Sequence, residues 1–432
     1  MIIHVVQPDE TIDSIADSYQ ISVYQLIRDN GLNNAYNLVP GQTIVIAYPE
    51  LTYTIHEGDT LDGIAQVHGI TVMQILRNNP FLSGRDYIIP GDTIIISYNT
   101  QGSIATNGFC YPFIDKDLLR KTLPNLTYLS VFNYRATREG EITTYYDDTE
   151  IIQLAKDYAV APLIMLTTLS SQGEPDLEIA YELLLNEDYQ NRQIENMLSI
   201  IHSRGYMGIN IVFYFMDISN QDLYRRFITK ISERLRPEGL IVIVTINPNI
   251  ENTGQNVVFN RNDYSIIGRE ADSLLFLQFI WGKRNGPPAP VISAVSLKAF
   301  IDYAIPMVPN EKFNIGIPTI AYNYTLTENP ENSIAQSLTK EAAISLASSV
   351  SAAILFDEPS QTPYFYYYEY SIGYPVQHLV WFIDARTYQA LLSLVSDYSL
   401  IGIGVWSIMI YDAQLWLIIN SQYDIIKILP YS

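Results

Sequence analysis

The chain is poor in several features that would otherwise point to a chemistry. One cysteine in 432 residues, Cys110, excludes an intramolecular disulfide framework and a thiolate zinc site. With no histidine in reach as a partner, it is expected to be a small buried hydrophobe. The five histidines show no HxxxH-type pairing, so neither a metal nor another cofactor is expected. Cations are scarce: 25 Lys and Arg against 46 Asp and Glu give a net charge of −21, which disfavours nucleic acid and anionic membrane as partners. No apolar run reaches membrane-spanning length. The stretch Met1–Asp9 lacks the basic leader and apolar core of a signal peptide, so synthesis in a cytosol is expected. Charged residues are only 16%, against about a quarter in ordinary domains. Tyrosine fills part of that gap, with 33 Tyr beside 15 Phe and 4 Trp. Such rings stack on sugars and fill interfaces, or simply pack a core. At 48% hydrophobic, the chain is long enough for a large core and two or three domains.

The first hundred residues contain a repeat with a period of about fifty. Val5-Val6-Gln7-Pro8-Asp9-Glu10-Thr11-Ile12 aligns with Thr54-Ile55-His56-Glu57-Gly58-Asp59-Thr60-Leu61, and Pro40-Gly41-Gln42-Thr43 with Pro90-Gly91-Asp92-Thr93. Each copy starts and ends in a short β-branched run, with Ile12, Ile15 and Ala16 at helical spacing between them and Asp9 or Thr11 as caps. This β-α-α-β unit, over 1–49 and 50–99, resembles the LysM module, which binds N-acetylglucosamine-containing glycans such as peptidoglycan and chitin. The resemblance implies a shallow groove in each copy. In the first it would use Asp9, Glu10, Thr11 and Ile12 with Asn30, Gly31 and Leu32. In the second it would use Gly58, Asp59, Thr60 and Leu61 with Asn79, Pro80 and Phe81. Backbone amides and Asn side chains would read the acetamido group; equally, Asp, Thr and Asn here serve as caps and turn residues.

After a polar linker at Asn99–Ser103, residues 104–432 show apolar runs alternating with helical patterns, the signature of a parallel α/β sheet. The expected strands are Ile104–Pro112, Leu126–Tyr134, Ala161–Leu169, Tyr206–Tyr214, Leu240–Asn247, Ser273–Ile280, Phe313–Ile320 and Ile401–Met409. Eight such units predict a TIM (β/α)8 barrel, with a small α+β insertion over about residues 322–373. Helices are expected at Asp222–Leu235 and Leu297–Ala304.

The order of these segments resembles glycoside hydrolase family 18, and within it the spore cortex-lytic N-acetylglucosaminidases. Tyr128–Tyr134 resembles the family's second strand and Ile315–Pro318 its seventh. His378–Phe382 and Gly402–Trp406 resemble the closing segment, where a Trp lines the sugar subsite. In that family the substrate's own acetamido oxygen attacks the anomeric carbon. The resemblance implies an Asp and a Glu on the fourth strand, yet these positions read Val212 and Tyr214. A sixth-strand Tyr and its following acid read Phe279 and Ile280, and Ile383 stands where relatives often carry Glu. The pattern reads as a degenerate catalytic centre, with Tyr214, Trp281 and Trp406 as a candidate stacking platform in the cleft.

Among other acids, Asp217 has the parity of a residue pointing away from the barrel axis. Glu139, Glu141, Asp147 and Asp148 are expected on a solvated loop, and Asp115, Asp117, Asp357 and Glu358 at ordinary surface turns. The function expected from these readings is a non-catalytic, spore-associated glycan-binding protein, made in the mother cell and deposited on cortex or coat. Two alternatives stay open. One is a self-assembling spore-coat or surface-layer component that partners itself or other coat proteins. The other is an active hydrolase with a displaced acid.

Overall fold

A computed structural model describes residues 1–85, 87–168, 176–213, 216–252, 256–278, 284–330, 333–371 and 374–429. Four of the expected site residues, Tyr214, Phe279, Ile280 and Trp281, lie outside the described residues.

The first module runs β1 (Ile2–Val5), α1 (Ile12–Tyr19), α2 (Val23–Asn30) and β2 (Thr43–Ile46), with β1 and β2 antiparallel. The second repeats it as β3 (Leu51–Thr54), α3 (Leu61–His68), α4 (Val72–Asn78) and β4 (Thr93–Ser97). Thr11 and Thr60 cap α1 and α3, their hydroxyls accepting from the amides of Ser14 and Gly63 at 3.1 Å. Asp9 and Gly58 occupy equivalent places in the turn before each cap, both left-handed (φ 67° and 88°). The glycine takes this conformation without steric penalty; the aspartate is a residue type that tolerates it.

The linker does not hang free. Thr100 Oγ1 donates to Asp424 at 2.9 Å and the Gln101 amide to the Gln422 carbonyl at 2.8 Å, leading straight into the barrel. The barrel sequence is β5 (Gly102–Cys110), α5 (Lys116–Thr122), β6 (Tyr128–Ala136), α6 (Thr149–Asp157), β7 (Ala161–Thr167), α7 (Leu177–Leu185), α8 (Glu187–Arg204) and β8 (Gly208–Phe213). It continues through α9 (Gln221–Leu235), β9 (Ile241–Ile246), α10 (Ser265–Glu270), β10 (Ser273–Phe276), α11 (Ala294–Ala304) and β11 (Phe313–Pro318). Next come the insertion, α13 (Ala385–Asp397), the last strand β17 (Gly402–Trp406) and α14 (Ala413–Gln422). Each of these eight strands pairs in parallel with the next, and β17 closes on β5 through Gly402↔Ala105 to Trp406↔Phe109. All eight expected strands are present, and the closed parallel barrel is the expected one. Their near-continuous apolar runs reflect burial on both faces.

The insertion comprises β12 (Ala321–Thr325), β13 (Ile334–Leu338), α12 (Lys340–Ser349), β14 (Leu355–Asp357), β15 (Thr362–Ser371) and β16 (Tyr374–Trp381) in an antiparallel sheet. Here one expectation is corrected. His378–Trp381 belongs to β16, paired with β12 and β15, and not to the barrel's closing segment. Only Gly402–Trp406 closes the barrel.

The modules pack onto the barrel rather than projecting from it. Val45 of β2 is part of the barrel's main apolar core. Gln414 of α14 donates to Asn30 and to the Thr43 carbonyl at 3.1 and 2.7 Å, and Asn420 donates to the Arg77 carbonyl at 3.1 Å. On the insertion side, the Ile354 amide donates to the Pro40 carbonyl at 2.8 Å. Gly41 (φ 89°) sits so close that a Cβ there would lie 1.9 Å from the Ile354 carbonyl oxygen.

Candidate functional site

The interior of the barrel is built in two tiers. Low in the barrel, Thr245, Asn210, Ser130 and Asn107 form a hydrogen-bonded chain across β9, β8, β6 and β5, with contacts of 2.7, 3.0 and 2.9 Å. All four are buried. Side chains two residues apart on a strand share a face, so Val212 stands above Asn210 and also points inward. There it joins one apolar cluster with Phe109, Phe132, Met165, Leu275, Leu277 and Trp406. Gly316 and Gly404 make room for this filling, since a Cβ on either would come within 2.3 Å of Leu277 or Leu275. At the C-terminal strand ends, where barrel chemistry sits, the cluster around Val212 is therefore apolar, while Thr167 at the end of β7 and Asn247 just after β9 are buried and polar.

Trp406 is 8% exposed, and the rings of Phe109 and Phe132 stand edge-on to it at 5.3 and 6.5 Å. It is packed into the tier rather than laid open as a floor. The aromatic line continues outward instead: Tyr111 contacts Phe132 at 5.1 Å and stacks on Phe113 at 5.1 Å, and Phe113 meets Tyr146 at 5.4 Å. Phe113 and Tyr146 are more than half exposed. Sequence reasoning missed this ramp, although Tyr111-Pro112-Phe113 directly follows β5 at the end where barrel sites form.

The acids nearby are accounted for. Asp217 lies beyond β8 in the turn entering α9, where Oδ1 accepts from the Ser219 hydroxyl at 2.5 Å and from the Ser219 and Asn220 amides. Those bonds, the Ser219 hydroxyl foremost, hold its carboxyl below the usual range despite some desolvation. Glu139, Glu141 and Asp147 are exposed and face Arg192 or Arg204. Asp148 corrects the expectation of a solvated loop: it is 1% exposed and accepts hydrogen bonds from Asn133, Tyr134 and Tyr206. Asp115 caps α5, Asp117 is exposed, and Asp357 closes a turn onto Ser360. Cys110 is buried, and burial pushes its thiol up to about 12. Among the described residues no group of His, Cys, Asp and Glu could hold a metal. Ile383 is buried in the main core.

In the two modules the polar residues play matching structural parts. Glu10 accepts from the Gln7 amide at 2.7 Å and pairs with His4 at 2.8 Å; Asp59 accepts from the His56 amide at 2.7 Å and the Tyr53 hydroxyl at 2.9 Å. Both carboxyls are lowered, chiefly by the backbone bond. Asn30 donates to the Leu26 and Val45 carbonyls and accepts from the Val45 amide; Asn79 does the same with Ile75 and Ile95. Both are buried, so these amides lock the second helix to the last strand and are not free to read an acetamido group. Ile12 is fully buried, and Leu32 and Leu61 pack against their module cores.

The structure unites halves of the two expected grooves. Asn30 and Gly31 of the first module and Pro80 and Phe81 of the second line a single cavity of about 450 Å³ against α14. The Arg28 guanidinium lies 4.3 Å from the Phe81 ring centre, bridging the modules. Asp9–Ile12 and Gly58–Leu61 are not part of that wall.

Comparison with known proteins agrees with this architecture. Residues 114–410 match the model of glycosyl hydrolases family 18, and residues 4–47 and 53–97 each match the LysM domain. The chain is 28% identical over 428 residues to the cortical fragment-lytic enzyme of Bacillus anthracis, covering 98% of each. It is similar to the same-named enzyme of Bacillus subtilis, 28% over 433 residues and 99% of each. Among solved structures, the spore cortex-lytic enzyme SleL of Bacillus megaterium superposes with a TM-score of 0.78 at 26% identity, over 98% of both chains.

Proposed function

Because the chain belongs to glycosyl hydrolase family 18 and carries two LysM domains, we propose that it is a spore-associated protein that binds N-acetylglucosamine-containing glycan without cleaving it. Cortex peptidoglycan is the foremost candidate, and deposition from the mother cell onto cortex or coat is the corresponding location. The observation that carries this reading is Val212. It fills the inward position where the family resemblance implies an Asp, inside an apolar tier that would exclude a carboxylate. Valine cannot orient an amide. The general-acid position reads Tyr214, and a phenol with a pKa near ~10 is a poor acid at neutral pH. Loss of general-acid catalysis alone costs roughly 10²–10⁴-fold. A displaced acid would need a proton to give, and Asp217 is tied into its turn with its carboxyl held low. Similar chains are named for lysis of cortex or its fragments, which supports the choice of glycan.

A second reading, assembly with itself or other coat proteins, is favoured by the insertion's exposed tyrosines. Tyr366, Tyr368, Tyr370 and Tyr374 stand on the β15–β16 hairpin, the last two 82% exposed. The two readings are compatible. Incubating the purified protein with insoluble cortex and with soluble cortex fragments tests the first: the expected result is sedimentation with cortex and no released sugar. Release at rates near those of active relatives would overturn it.

A further inference from the structure

The insertion's six-stranded sheet carries a hairpin, β15–β16, whose two edges differ. Its strands pair from Tyr364↔Trp381 to Ser371↔Tyr374. The Phe382 amide donates to the Pro363 carbonyl at 3.2 Å. By the antiparallel alternation, odd-numbered residues of β15 therefore bond to β16, and even-numbered ones turn their N–H and C=O to the opposite edge. β14 covers that edge only as far as Leu355↔Tyr364. Past it Tyr366, Tyr368 and Tyr370 present a row of backbone donors and acceptors with no strand beside them among the described residues. The outer edge of β16 is closed by other means. β12 pairs with it from His378 to Trp381, the Leu326 amide donates to the Gln377 carbonyl at 2.9 Å, and Pro375 has no N–H to offer.

Natural sheets blunt such an edge with lysine, proline or a bulge, because its open groups are a template for another strand. From Phe365 to Ser371 β15 has none of these: the sequence reads Phe-Tyr-Tyr-Tyr-Glu-Tyr-Ser, and its register with β16 is regular throughout. In a chain of net charge −21 this stretch holds a single charge, Glu369, which lies 3.3 Å from His378 of β16. The row is also self-complementary. An antiparallel copy placed on a two-fold axis through Tyr368 sets Tyr368 against Tyr368 and Tyr366 against Tyr370. Each amide of the row then meets a carbonyl of the other copy, and none is left over. The same register puts Glu369 opposite Tyr367, never opposite its own copy, and pairs tyrosine with tyrosine across the strands, a favourable match. The paired row stops at Tyr366, before Tyr364, where β14 takes over the edge.

We propose that this edge pairs with the same edge of a second copy, joining two insertion sheets into one across a two-fold axis. The inference rests on the second reading above, assembly of the chain with itself, and names the contact. Sedimentation velocity of the full chain from micromolar to millimolar concentration, in moderate salt to screen the net charge, tests it. A monomer–dimer equilibrium without larger species is expected, since a two-fold contact closes on itself. Tyr368→Pro removes the central outward amide, which no strand of the same copy takes up, and Tyr368→Lys sets two ammonium groups against each other at the axis. Each should raise the dimer Kd by roughly tenfold or more while the melting temperature of the dilute monomer holds. Tyr374→Lys removes a still more exposed ring from the other strand of the hairpin, adds the same charge, and should leave Kd unchanged. A dimer or larger species that persists in both Tyr368 variants, or that Tyr374→Lys weakens as much, overturns the edge contact while leaving self-assembly standing. A chain monomeric at every concentration overturns both the contact and the reading beneath it.

Discussion

Lys340, the first residue of α12, places its ammonium 2.6 Å from Asp412, the residue that caps α14. Both are nearly buried, and Tyr388 donates to the other carboxylate oxygen. Gln414, two residues on, reaches Asn30 and Thr43. One ion pair thus stands where insertion, barrel and first module meet. Lys340→Met leaves a buried carboxylate without its cation and should cost about 3–5 kcal/mol. Pairing it with Asp412→Asn, which removes the charge but keeps an oxygen for the α14 cap or the Tyr388 hydroxyl, should recover much of the loss, and urea denaturation of the two variants is the check.

The apolar tier makes a prediction about placing an acid at position 212. Val212→Asp buries a carboxylate among Phe109, Phe132 and Trp406 and should destabilise the fold by at least ~2 kcal/mol at neutral pH. Burial raises the new acid's pKa in the folded state, so below about pH 4 both states hold the proton and the deficit shrinks. Denaturation midpoints at pH 7 and pH 4, relative to the unaltered chain, measure this. Val212→Asp with Tyr214→Glu should still release no sugar, because the surrounding tier remains apolar.

Asp148 should prove structural. Tyr206→Phe removes one donor from a buried carboxylate and should cost about 1.5–3 kcal/mol without changing glycan affinity. Equal stability of this variant would show that the carboxylate does not depend on that bond.

Alkaline pH should unfold the chain. Burial raises the Cys110 thiol and the Tyr224 and Tyr264 phenols, so the folded state keeps protons that the unfolded state releases. Stability is therefore full below about pH 8.5 and falls as pH rises through the ordinary thiol and phenol range, by about 1.4 kcal/mol per pH unit for each such group. Urea midpoints from pH 8 to 11 should decline steadily, and iodoacetamide at pH 8 should leave Cys110 unmodified unless urea is present.

What the sequence made legible was whatever depends on local period. The eight barrel strands are continuous apolar runs, and the modules announce themselves by repeating. The residue at the position where the family resemblance implies an Asp could be read directly, as Val212. What was not legible depends on partners far along the chain. Asp148 sits in an acidic loop, and it is held by Asn133 and Tyr134 on the preceding strand and by Tyr206, 58 residues later. Asn30 and Asn79 look like turn residues until the strands 15 or 16 residues on take up their amides. His378–Trp381 has the apolar character of a barrel strand, and only its pairing with β12 and β15 reveals an antiparallel sheet. The cavity between the modules is made by docking, which no window of sequence records.

Gly41, pressed against the Ile354 carbonyl with no room for a methyl group, has a consequence for how the protein would meet a surface. A module on a slack tether lets its cargo tumble, and gripping a polymer then fixes only distance. Here the contact at Gly41, the ion pair at Lys340 and the pinned residues at 100–101 remove that slack. Whatever the modules seize, the barrel mouth and the tyrosine hairpin face it at one set angle. Attachment would then impose orientation, and neighbouring molecules on the same polymer would present the same side.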